Sequence, residues 1–115
     1  MNEKANNPWF YTVYKGESMP IPFRVWGAPT APADITGYSF SLRAKIAMEE
    51  GAPKFELDNS HFTIENASTG LASFKIPDSI LAAAEPGDYL SQITVSWGEV
   101  TRKTKVFTIR ILDSI

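Results

Sequence analysis

Nucleophilic catalysis by serine or cysteine needs a base within hydrogen-bond reach, and this chain holds one histidine, His61, and no cysteine. His61 falls in a predicted turn, where a solvent-facing or structurally bonded imidazole is expected before a catalytic base or metal ligand. The carboxylates are scattered singly, or sit together as Glu49-Glu50 in a turn, so no ligand set converges for a transition metal. Glu56, Asp58 and Asn59 offer oxygens of the kind calcium takes, but without the ordered spacing of a calcium loop, and turn chemistry is their expected use. There is no glycine-rich phosphate cradle. The expectation is a protein that is not an enzyme, with no catalytic residues, no metal and no cofactor, acting through its surfaces.

Three surface features carry information. The aromatic start Trp9-Phe10-Tyr11, with Tyr14 and Trp26 nearby, suits the core or a protein interface, and its ring faces also suit sugars. The basic run Arg102-Lys103-Lys105 is expected on the outward side of a terminal hairpin, guarding a strand edge against unwanted pairing, with a patch for an anionic partner as the alternative. Asn66-Ala67-Ser68 fits the glycosylation acceptor pattern, yet the polar start Met1 to Pro8 has no signal-peptide core, so the match is read as chance. The formal charge of −2 argues against nucleic-acid or anionic-membrane partners. No stretch approaches the length of a membrane span, and a soluble protein is expected.

The elements that must position these residues are strands. With 115 residues, 43% of them apolar and 21% charged, the chain has the size and composition of one globular domain. The expected division is a flexible polar leader over 1–8 and one domain over 9–115. Trp9 to Tyr14 reads as a first strand, and Met19 to Trp26 as an edge strand, because Pro20 and Pro22 cannot donate to a ladder. Gly27 to Asp34 reads as a loop. The alternation of Tyr38, Phe40, Leu42, Ala44 and Ile46 against Ser39, Ser41, Arg43 and Lys45 is the clearest strand.

Phe55 with Leu57 and Phe62 with Ile64, parted by Asp58-Asn59-Ser60, predict a short hairpin, and Leu71 to Ile76 another strand. Asp78 is placed to cap a brief helix ending before Pro86-Gly87. Tyr89, Ile93, Val95 and Trp97 share a face, Gly98-Glu99 turns, and Thr101 to Leu112 returns with Phe107, Ile109 and Ile111 inward. Short strands without βαβ alternation predict an all-β antiparallel sandwich of about seven to eight strands with one short helix, immunoglobulin-like in plan, with a small barrel as the open alternative.

The order of segments resembles a known family, the immunoglobulin-like domains of tailed-bacteriophage virion proteins, including the amino-terminal domain of baseplate upper proteins and related tail or fibre-attachment modules. The resemblance rests on the turn at Gly16-Glu17, the step Asp34-Ile35-Thr36-Gly37-Tyr38, the strand Gly70 to Ile76, the helix from Asp78 to Glu85, and Pro86-Gly87-Asp88-Tyr89. It implies a virion structural protein of tail, baseplate or fibre attachment, assembled in the host cytoplasm, whose partners are other virion proteins and copies of itself. The chain departs from a baseplate upper protein in having no downstream receptor-facing domain, which implies a stand-alone module. Two alternatives stay open: a capsid decoration protein, and a carbohydrate-binding or adhesin sandwich reading a glycan with Trp9, Trp26 or Trp97.

Overall fold

The structure, a computed structural model, describes residues 10–28, 31–46 and 53–113. Two sheets face one another. The larger begins with β1 (Phe10–Tyr14), which runs parallel to the last strand, β11 (Phe107–Leu112). Next to β11 lies β9 (Gly87–Trp97), then β5 (Ser39–Ile46), then β6 (Phe55–Leu57), all antiparallel to their neighbours; β10 (Val100–Lys103) pairs with the far half of β9. The smaller sheet has the order β2 (Ile21–Arg24), β8 (Leu71–Phe74), β7 (Phe62–Asn66). The all-β sandwich expected from the sequence is thus present.

Period-two patterning explains the layers. Phe40, Leu42 and Ala44 of β5, Tyr89, Ile93 and Val95 of β9, and Phe107, Ile109 and Ile111 of β11 point one way and are buried, while the alternate residues meet water. Ile21 and Phe23 of β2 and Ala72 and Phe74 of β8 meet them from the other sheet. The seam is aromatic: Phe23 packs edge-on against Phe40 and Phe62 with centroids 5.6 and 6.0 Å apart, and Phe74 reaches Phe107 at 6.5 Å. Each such pair is worth about 0.5–1.5 kcal/mol beyond the area it buries.

Four expectations are corrected. Phe55–Leu57 and Phe62–Ile64 do not form a hairpin, because the 3-10 turn Asn59–His61 carries the chain from one sheet to the other. That crossing is held by Asn59, whose Oδ1 accepts the Phe40 N–H at 2.8 Å. Gly27 to Asp34 is not wholly loop, since β3 (Trp26–Ala28) pairs with the two-residue β4 (Ala31–Pro32). Asp78 is the first residue of helix α1 (Asp78–Ala83) rather than its cap; Pro77 holds the cap position, and Leu81 is the buried anchor. The returning strand Thr101 to Leu112 is broken, because Thr104, Lys105 and Val106 stand opposite Ile93 and Gln92, one residue in excess. Thr104 heals the break: its N–H donates to Ile93 O at 2.9 Å, and its Oγ1 accepts the Ile93 N–H at 3.1 Å.

Two corners position the loops. At Asp34-Ile35-Thr36-Gly37-Tyr38, Asp34 Oδ1 accepts both the N–H and the hydroxyl of Thr36, Tyr38 N–H donates to Ile35 O, and Ile35 is fully buried. At the opposite end Tyr89 is buried and its hydroxyl donates to Glu85 O at 2.7 Å, closing the bend at Pro86-Gly87 after α1.

Candidate functional site

Among the described residues, His61 and the calcium-type oxygens are used structurally. His61 Nδ1 lies 3.2 Å from the Asp58 amide and 3.1 Å from Asp58 Oδ1, completing a capping box on the sheet-switching turn. The calcium-type oxygens diverge: Glu56 pairs with Arg43 at 3.3 Å, Asp58 accepts from Ser60, and Asn59 holds Phe40. Hydrogen bonds from Ser60 keep the Asp58 carboxyl below the usual carboxylate range, and those from Thr36 do the same for Asp34. Among the described residues no three of the His, Asp and Glu side chains converge as metal ligands, and no helix is long and apolar enough to cross a membrane. Glu49-Glu50 lies outside the described residues. Asn66 begins the turn Ala67–Thr69, where its Oδ1 accepts the Ser68 hydroxyl at 3.0 Å.

The aromatic candidates separate. Trp9 lies outside the described residues, as does the leader 1–8. Phe10 and Tyr14 stand on the outer face of the larger sheet, 47% and 46% exposed. Tyr11 points the other way: it packs edge-on against Phe107 at 6.1 Å and its hydroxyl donates to Pro22 O at 3.1 Å, bridging the two sheets. Burial raises its phenol pKa. Tyr11 is therefore a packing residue, and Phe10 and Tyr11 are part of a paired strand. Trp26 on β3 is 49% exposed. Tyr38 stacks face to face on Trp97 with centroids 4.5 Å apart, which covers one face of each ring.

Phe10 has a partner that pattern reading missed. Arg110 lies over its ring with Cζ 4.8 Å from the centroid, and Nε and Nη2 of the same guanidinium donate to Asp88 Oδ1 and Oδ2 at 2.7 and 3.1 Å. Arg110 holds the Asp88 carboxyl below its ordinary range, and Asp88 raises the Arg110 pKa. The sequence signal is present only once the register is known, because Asp88 and Arg110 are directly opposed across β9 and β11.

The basic hairpin is exposed along its length. Arg102, Lys103 and Lys105 all meet water, with Lys103 Nζ donating to Thr94 Oγ1 at 3.1 Å. The bulge lifts Val106 out, 53% exposed, beside a shallow depression of about 440 Å3 whose walls include Leu90, Gln92, Arg43 and Lys45. Two surfaces result, an aromatic one on β1 and a basic one on β10. No family model matches the chain, and no curated protein matches it either.

Proposed function

We propose that this chain is a non-enzymatic structural module of a tailed-bacteriophage virion, serving a tail, baseplate or fibre attachment by binding neighbouring virion proteins and copies of itself. The observation that carries this reading is the strand plan. A three-stranded sheet faces one in which the first strand runs parallel to the last, and a tyrosine near the start of β9 bonds back to the chain four residues upstream. These features support an immunoglobulin-like plan, in which a tyrosine bonded back to the upstream chain forms a corner. The segments that resemble the virion family fall on its supports: Ile35 plugs the core, Asp34 and Gly37 shape the corner, and Pro86, Gly87 and Tyr89 close the opposite bend. These are architectural residues, and the exposed features left over suit protein contact: Phe10 and Tyr14 on an edge strand, Trp26, and the basic β10.

The test is the solution mass of the purified full chain by size-exclusion chromatography with light scattering, repeated with Phe10→Ser/Tyr14→Ser. A trimer, hexamer or larger ring that the double variant dissociates, with its β-sheet circular dichroism intact, supports the reading. A monomer in both forms, together with glycan binding that Trp26→Ala abolishes, moves the assignment to the carbohydrate-binding class.

A further inference from the structure

We infer that the outer edge of β10 is the docking site for an extended acidic strand of a partner protein. This rests on the reading of the chain as an assembly module and adds which edge is used and what chemistry seats on it. The geometry follows from the ladder. Ile93 exchanges hydrogen bonds with Thr104, so alternation along β9 turns Val95 and Trp97 to the same side, where they face Arg102 and Val100. The peptide groups of Thr101 and Lys103 then point away from β9, and no strand pairs with that side among the described residues.

Other open edges are poorer templates. β1 carries no charged residue, β2 carries Pro22, which has no N–H to offer, and β6 is three residues long. β7 holds its acid, Glu65, in a hydrogen bond with Ser73.

Charge selects the occupant. Val100 and Arg102 project on one side of the hairpin, Thr101 and Lys103 on the other, so both rows carry a cation, and Lys105 extends the run at the bulge. Arg102 and Lys105 form no ion pair among the described residues, and Glu99 sits in the turn at the tip of the hairpin. Antiparallel pairing of β10 with its copy would set these cations against one another, so the edge resists self-association and accepts an acidic strand instead. Val100 and Val106, 43% and 53% exposed, flank the cations and add apolar contact at each end.

The experiment titrates the full chain, labelled with nitrogen-15, with three capped heptapeptides at up to millimolar concentration. One alternates threonine and valine with glutamate and aspartate, the second replaces the acids by lysine, and the third is the acidic peptide with a central proline. Saturable shifts at the Thr101 and Lys103 amides are expected with the acidic peptide. Binding should be about tenfold weaker or more with the proline and lysine peptides, and lost in Arg102→Glu/Lys103→Glu, whose core resonances stay in place. Equal response to the lysine peptide, shifts centred on Phe10 and Tyr14, or no shift at Thr101 and Lys103 would each overturn the proposal. So would slow hydrogen exchange of those two amides before peptide is added, since the edge would then be occupied already. A monomeric full chain would count against the module reading and leave this titration standing, whereas a failed titration removes this edge and leaves the aromatic face untouched.

Discussion

At the end of the sandwich where β5 begins and β9 ends, two turns each place a glycine at positive φ, Gly70 at +72° and Gly98 at +56°. Their surroundings differ. A Cβ on Gly70 would sit 2.4 Å from Val25 O and 2.9 Å from Ala33 O, whereas a Cβ on Gly98 meets nothing within 4 Å. Around Gly70 the backbone is tied: Val25 N–H donates to Gly70 O, Ile35 N–H to Ala67 O and Ala33 N–H to Val25 O, each at 2.9 Å. The Gly98 turn carries instead a short exposed strand with cations on both rows and one unpaired side. The same punctuation closes a core at one site and displays an edge at the other. Stability is concentrated in the first, and the capacity to bind in the second.

The sharpest way to break this contrast is Gly70→Ala, which combines a backbone clash with left-handed strain and should cost on the order of 3 kcal/mol or more in urea unfolding. Gly98→Ala meets only the strain of its φ, and a loss of about 1 kcal/mol is expected in the same assay. Equal losses would erase the distinction between the two turns. Tyr89→Phe removes the hydroxyl donated to Glu85 O at the far corner and should cost about 1 kcal/mol, with the fold retained.

Reversing charge on the hairpin, Arg102→Glu/Lys103→Glu, should move the urea midpoint by the equivalent of about 0.5 kcal/mol or less, because no buried contact is lost. The smallest effect belongs to pH. The Asp88 carboxyl is held low by Arg110, so its contribution is present above the unfolded carboxyl value of about 3.9 and is lost as pH falls through the folded value. Asp88→Asn should therefore lower stability slightly at neutral pH and flatten the acid limb of the stability profile; an unchanged acid limb would mean the pair does not contribute.

Alternation made most of the sandwich legible. Phe40, Leu42 and Ala44 against Ser39, Ser41 and Arg43 announce both a strand and its buried face, and the same pattern marks β2 and β11, whereas β8 buries Ala72, Ser73 and Phe74 in a row. What alternation lacks is pairing. Phe55–Leu57 and Phe62–Ile64 look alike and adjacent, yet one pairs with β5 and the other with β8, because Asp58 and Asn59 build a crossing rather than a reversal. The bulge escaped for a related reason: Thr104 completes the ladder with its side chain, and a single threonine in a basic strand carries no periodic signal. Of the candidate contact residues, Phe10, Tyr14 and Trp26 are exposed, while Tyr11, one place along from Phe10, faces inward, which a run of aromatics without a register does not resolve.

The division between a closed corner and an open edge is tested most directly by native-state hydrogen exchange of the free full chain. The amides of Val25 and Ile35 should exchange only on global unfolding, and those of Thr101 and Lys103 at rates near those of an unfolded chain. Comparable protection at both places would contradict the account, because the β10 edge would then be no more open than the turn that holds the core together.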